Sequence, residues 1–135
     1  MTKEMKQPVV IYARESNHAS ADVSLEKQKE RLKAFCEQNG YVVADEVSTI
    51  GSRQDSLTAL KEAIECAKNT DGKTLLMAST NRVVGTYKEL TEVAELIESA
   101  GVTISTMDGS FEDIQRYGTS PSALIAETLA ATDKE

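Results

Sequence analysis

Apolar positions fall into short runs and helical stripes that alternate along the chain. The first is Val9-Val10-Ile11-Tyr12-Ala13, an unbroken run that gives way to Arg14, Glu15 and Ser16. So short a continuous run is the pattern of a strand buried on both faces, as in a parallel sheet covered by helices. A polar loop from Asn17 to Asp22 follows. The stripe Leu25, Gln28, Leu32, Phe35, Cys36 then predicts a helix from about Ser24 to Asn39, closed by Gly40 in the left-handed position that commonly ends helices. Gln28 is the polar member of that stripe, so it either has a buried hydrogen-bond partner or lines a site.

Tyr41-Val42-Val43-Ala44 predicts a second strand. The polar stretch Asp45 to Asp55, with Gly51 and Arg53 inside it, reads as a long mobile loop. Ser56 is placed to cap a helix whose stripe is Leu57, Leu60, Ile64 and Ala67. Asp71-Gly72 turns the chain into a third buried strand, Thr74 to Ala78, which empties into Ser79-Thr80-Asn81-Arg82. Thr86 to Glu89 is a capping box for a helix with Leu90, Val93, Ala94, Leu96 and Ile97 inside and Gly101 just beyond its end. Val102 to Met107 is a fourth strand, with Asp108-Gly109 as its turn. Residues 110–119 read as irregular, and Ser120-Pro121 opens a last helix carrying Ala123, Leu124, Ile125 and Leu129. That helix is still running at Glu135, as expected of a domain that continues into a longer chain. The order βαβαβαβ plus a terminal helix predicts one three-layer α/β domain: a mostly parallel sheet of four to five strands, flanked by helices.

Length and cysteines change this picture little. A chain of 135 residues fits one domain with its own core. No apolar run approaches a membrane span, and the polar N-terminus has no signal core behind it, so a cytoplasmic protein with no membrane partner is expected. Cys36 and Cys66 lack zinc-site spacing and sit on helical stripes, as reduced packing residues do.

Charge changes it more. The net charge is −7, with 15 Lys and Arg against 22 Asp and Glu. Residues 1–50 are nearly balanced, with seven basic and eight acidic groups, whereas residues 101–135 carry two and six. Affinity for DNA comes mainly from neutralising phosphates, so this is the wrong balance for a domain that grips DNA unaided. Any anion site must be local, and a DNA substrate would have to be held mostly by another domain or subunit.

In parallel sheets chemistry gathers beyond the carboxyl ends of the strands. The first strand ends there in Arg14 and Ser16, a hydroxyl beside a fixed positive charge, which suits attack on a phosphate. The plain alternative is a turn at Ser16 and a carboxylate partner for Arg14. If the first and third strands are neighbours, Asn81 and Arg82 share that edge. The chain has no Gly-rich phosphate loop, dinucleotide fingerprint or His/Asp/Glu cluster with metal spacing. The only histidine, His18, lies in a polar loop and reads as exposed, and no serine carries a hydrolase elbow motif.

These residues together resemble the catalytic domain of the serine recombinases, the resolvase/invertase family that includes the large phage and transposon integrases. Tyr12-Ala13-Arg14-Glu15-Ser16 matches a Tyr-x-Arg-x-Ser strand end, and Ser24-Leu25-Glu26-Lys27-Gln28 matches a Leu-x-x-Gln helix start. Gly51-Ser52-Arg53 lies where the family has a mobile Ser/Gly loop with an arginine, and Leu75 to Arg82 where it has an apolar strand running into Asp-Arg-Leu-x-Arg. Gly40 and Ala100-Gly101-Val102 fit as well, so the similarity spans nearly the whole chain.

The resemblance implies that residues 1–135 are a recombinase catalytic domain, with 120–135 beginning a dimerisation helix that leads to a DNA-binding region absent from this chain. Ser16 would attack a DNA phosphate to give a 5′-phosphoserine, with no cofactor and no metal. Arg14, Arg82 and Arg53 would stabilise the transition-state charge, Gln28 would orient the phosphate or Ser16, and Asn81 would stand at the family's carboxylate position. The partners would be DNA and further copies of the chain, as dimer or tetramer. Three departures accompany the match: Asn81 replaces an aspartate, Gly85 replaces the second arginine, and Arg53 fits only with a one-residue shift that leaves Gln54 at the strict spacing. They keep a catalytically degenerate dimerisation or regulatory domain open as an alternative, beside a small α/β anion-binding domain.

Overall fold

A computed structural model describes residues 7–78 and 87–109, and the side chains there other than those of Arg53 and Tyr87. The elements run β1 (Gln7–Glu15), α1 (Ala21–Gln38), β2 (Tyr41–Ile50), α2 (Arg53–Lys68), β3 (Thr74–Met77), α3 (Tyr87–Ala100) and β4 (Thr103–Thr106). The described strands form one four-stranded sheet in the order β2-β1-β3-β4, parallel at every pairing. All four carboxyl ends therefore lie along one edge, and β1 and β3 are neighbours, paired through Val10 with Leu75 and Ile11 with Leu76.

β1 is the centre of the packing, and its alternation sorts the two faces. Val9, Ile11 and Ala13 face α1 and pack with Leu25, Leu32, Cys36 and Leu76. Val10 and Tyr12 face the other way, into a larger core with Leu57, Leu60 and Ile64 of α2, Leu90, Val93 and Ile97 of α3, and Ile104 of β4. Among the described residues one helix covers one face and two cover the other, which gives the three layers expected. Gln28 is as buried as its apolar neighbours on α1.

The second strand is longer than its apolar run. β2 continues through Asp45 to Ile50, so the polar stretch is mostly strand, and only Gly51 and Ser52 separate it from α2. Two features hide it. As the edge strand β2 leaves half of its side chains in solvent, and a bulge shifts its register between Val43 and Asp45, opposite Val9 and Val10. The extra residue swaps the faces: Tyr41 and Val43 pack on the α1 side before it, whereas Val47 joins the α2 side after it. Asp45 accordingly meets Cys66 of α2, whose thiol is pushed up first by burial and then by that carboxylate. Glu46 reaches Lys33 of α1 at 3.6 Å.

The start of α2 is corrected as well. Its cap is Ser52, not Ser56: the Ser52 side chain accepts from the Asp55 N–H at 3.3 Å, and the Asp55 carboxylate accepts from the Ser52 N–H at 3.2 Å. α1 begins at Ala21, three residues before the expected start. Cys36 and Cys66 are free thiols, Cys36 buried and Cys66 half-buried. Among the described residues no helix is long and apolar enough to cross a membrane. Asn81, Arg82, Gly85, the irregular stretch 110–119 and the terminal helix 120–135 lie outside the described residues.

Between α2 and β3 the chain turns through Gly72 at φ +87 and Lys73 at φ +45. A Cβ on Gly72 would stand 3.3 Å from the Pro8 carbonyl oxygen, backbone that the sheet holds in place. Gly72→Ala is expected to lower unfolding free energy by about 1–2 kcal/mol, from the left-handed backbone and the tight contact, read as a lower urea midpoint at unchanged slope.

Candidate active site

The carboxyl end of β1 is built from polar groups that take over where the core stops. The Gly51 N–H donates to the Glu15 carbonyl at 3.2 Å, so the backbone of Glu15 faces β2. Arg14, one residue earlier, turns its N–H and carbonyl to the opposite side, beyond the last β1–β3 pair at Ile11. The side chain of Gln28 fills that place: its Oε1 accepts from the Arg14 N–H at 3.1 Å and its Nε2 donates to the Arg14 carbonyl at 3.0 Å. The amide stands in for a strand residue. Its second Nε2 hydrogen reaches the Glu15 carboxylate at 3.2 Å. The polar residue on that stripe thus has its hydrogen-bond partner in the Arg14 backbone.

Side chains at this end part by face. Glu15 lies on the α1 side, away from Arg14 as alternation requires, and its carboxylate also meets His18 Nε2 at 3.3 Å. His18 is exposed, as its loop implied, and its Nδ1 accepts from the Ser20 N–H at 3.3 Å. Arg14 continues the α2 side. Its Nε donates to Ser56 Oγ at 2.6 Å, and the Ser56 hydroxyl donates in turn to the Ser52 carbonyl at 3.0 Å. Tyr12, fully buried beneath them, donates its hydroxyl to the Ser56 carbonyl at 3.2 Å. Burial pushes the Tyr12 phenol up to about 12, with the Arg14 charge pulling weakly the other way.

Ser16 is the first residue past the strand and is exposed; among the described residues its hydroxyl has no hydrogen-bond partner. Nor does any described acceptor meet the four Nη hydrogens of Arg14, so the carboxylate partner of the plain alternative is not found there. Arg53 is the first residue of α2, separated from the carboxyl end of β2 by Gly51 and Ser52, rather than part of a long mobile loop. Thus Arg14, Ser16, Gln28 and the backbone of Arg53 gather at one sheet edge, while Asn81 and Arg82 lie outside the described residues. Sequence reasoning missed Ser56. Its one signal is a serine four residues after a possible N-cap, and the meeting with Arg14 exists only in three dimensions.

A family model described as "Resolvase, N terminal domain" matches residues 9–134, nearly the whole chain. Three solved structures share the fold over 94–95% of the chain. A resolvase family site-specific recombinase from Streptococcus pneumoniae is 23% identical, with a TM-score of 0.64 and 85% of that chain covered. The N-terminal catalytic domain of TP901-1 integrase is 20% identical, with a TM-score of 0.61 and 95% covered. The C-terminal catalytic domain of ISC1926 TnpA, an IS607-like serine recombinase, is 18% identical, with a TM-score of 0.56 and 99% covered. None of the curated proteins matches the chain in sequence.

Two measurements check this geometry. Gln28→Leu leaves the Arg14 N–H and carbonyl without their partner and is expected to cost roughly 2–4 kcal/mol of stability in urea unfolding, out of proportion to a volume-conserving swap. For Tyr12, folded and unfolded phenols are both neutral below pH 10; between pH 10 and about 12 only the unfolded chain sheds the proton. The wild type should therefore lose about 2–3 kcal/mol across that window. Tyr12→Phe should be about 1 kcal/mol less stable at pH 8, for want of the bond to Ser56, and should lack that alkaline decline in urea titrations compared at the two pH values.

Proposed function

The chain belongs to the resolvase N-terminal-domain family, the catalytic domains of site-specific serine recombinases, and from that premise we propose that Ser16 is its nucleophile and Arg14 the cation that receives the DNA phosphate. The observation that carries this reading is the end of β1: an exposed hydroxyl two residues beyond a guanidinium whose Nη donors meet no described acceptor. Ser16 Oγ attacks phosphorus, the bond to the 3′ oxygen breaks, and the 5′ phosphate remains as a phosphoserine while a 3′ hydroxyl departs. The ester keeps the energy of the phosphodiester, so the reverse attack by a 3′ hydroxyl reseals a strand. Charge that builds on the non-bridging oxygens is met by arginine, whose planar donors match two oxygens at once. Arg53, at the first turn of α2, and Arg82 are the further candidates for that charge. Gln28 serves as a positioning residue, holding the backbone two residues before Ser16 through its bonds to Arg14. Asn81 has only its sequence match to support a role there.

DNA and further copies of the chain are the partners this reading requires. A net charge of −7 leaves most of the grip on DNA to another domain or subunit. Asn81 and Gly85, at positions where the family has an aspartate and an arginine, favour a second reading in which the domain assembles without cutting.

A nicked DNA substrate that traps a protein–DNA adduct separates the two readings. Wild type should form an adduct stable to denaturation and Ser16→Ala none, with both folded; an adduct in Ser16→Ala overturns the assignment. An adduct absent from the wild type as well, at DNA concentrations where the protein is bound, supports the non-cutting domain. Arg14→Lys keeps the charge and loses the planar donors, and should slow adduct formation by about 10²–10³-fold, as removal of one preorganised oxyanion donor does.

A further inference from the structure

Resting on the reading of Ser16 and Arg14 above, we propose that Ser56 is a positioning residue that holds the Nε edge of Arg14, so that a phosphate is received end-on by the two Nη groups. A guanidinium presents two bidentate edges, one made of Nε and an Nη and one made of both Nη groups. The 2.6 Å bond from Arg14 Nε to Ser56 Oγ occupies the first and leaves the second open.

Ser56 is fixed from several directions. Its N–H and its hydroxyl both donate to the Ser52 carbonyl, at 2.9 and 3.0 Å, and its own carbonyl accepts from Tyr12. With the hydroxyl hydrogen committed to Ser52, the lone pairs of Oγ are what remains for Arg14. Ser56 is 2% exposed, so water does not compete for the place. Ser52 is itself set by the capping box with Asp55. Asp55 reaches back to it across Gly51, where a Cβ would collide with the carboxylate. The first turn of α2 thus acts as a rigid bracket for a side chain on β1.

Serines in helices often bond back to the carbonyl four residues earlier, and that alone would make Ser56 a structural residue. The two roles separate on Arg14. Nuclear magnetic resonance of the Arg14 Nε–H reads the bracket directly, and titration with orthovanadate, an analogue of pentavalent phosphate, reads its consequence. In Ser56→Ala the Arg14 Nε–H should exchange with solvent at least about tenfold faster, and orthovanadate should bind about tenfold more weakly. In an Arg14→Lys background, which has no Nε–H, Ser56→Ala should change orthovanadate binding no further. Ser56→Cys, a weak acceptor of similar size, carries the same comparison should the alanine variant not fold.

Unchanged Nε–H exchange in Ser56→Ala overturns the proposal, and so does a second tenfold loss in the lysine background. A protected Nε–H that Ser56→Ala releases, in a wild type that binds no orthovanadate, overturns the end-on phosphate and the reading of Arg14 beneath it, while the bracket stands.

Discussion

Burial of β1 on both faces is the constraint that the rest of the molecule obeys. A strand covered by helices on either side cannot turn a side chain to solvent until it leaves the core, so every residue from Val9 to Ala13 is apolar or aromatic and fully enclosed. The same alternation then dictates the chemistry at its end. Arg14 inherits the α2 side from Tyr12, Glu15 inherits the α1 side from Ala13, and the two charges are kept apart although they are adjacent in sequence. Ser16 is the first residue that the core releases.

What the core stops providing, polar side chains supply. Among the described residues β3 pairs with β1 only through Val10 and Ile11, yet β1 runs on to Glu15. Unpaired backbone groups in a half-buried place would cost more than ordinary hydrogen bonds return. Gln28 removes that cost with one amide that has the donor and acceptor of a peptide group. Its burial among Leu25, Leu32 and Cys36 makes sense only because both ends of the amide are engaged. The site is therefore continuous with the fold: the residue that completes the strand also fixes the backbone leading to Ser16.

Most of this fold is legible in the sequence because buried stripes leave a period. The α1, α2 and α3 stripes, the buried β1 and β3 and the left-handed Gly40 and Gly101 all emerge from spacing alone. The second half of β2 does not, since Asp45, Glu46 and Ser48 stand in solvent on an edge strand, and the bulge beyond Val43 breaks the alternation that Tyr41 and Val43 begin. The hidden half of β2 shifts two neighbouring features. With β2 read short, Ser56 takes the place of Ser52 as helix cap, and Arg53 falls in a loop instead of the first turn of α2. Arg14 and Ser16 stand out because they share a short strand-end motif, and Gln28 because it is the polar member of an apolar stripe; the meeting of Arg14 with Ser56, 42 residues apart, has no local signature.

The acid balance of the chain gives this arrangement its physical sense. A domain with 22 acidic against 15 basic side chains has no broad field that would draw in a polyanion, so a phosphate site must depend on direction instead of total charge. A lysine in place of Arg14 would be a point charge on a flexible stem, free to turn toward whichever carboxylate lay near. An arginine has donors to spare: one is spent on Ser56, inside the fold, where holding it adds to folding, and the others keep a set orientation. Electrostatic stabilisation of a transition state depends on such orientation existing before the charge develops. A buried serine on the first turn of a capped helix is a small device for achieving it.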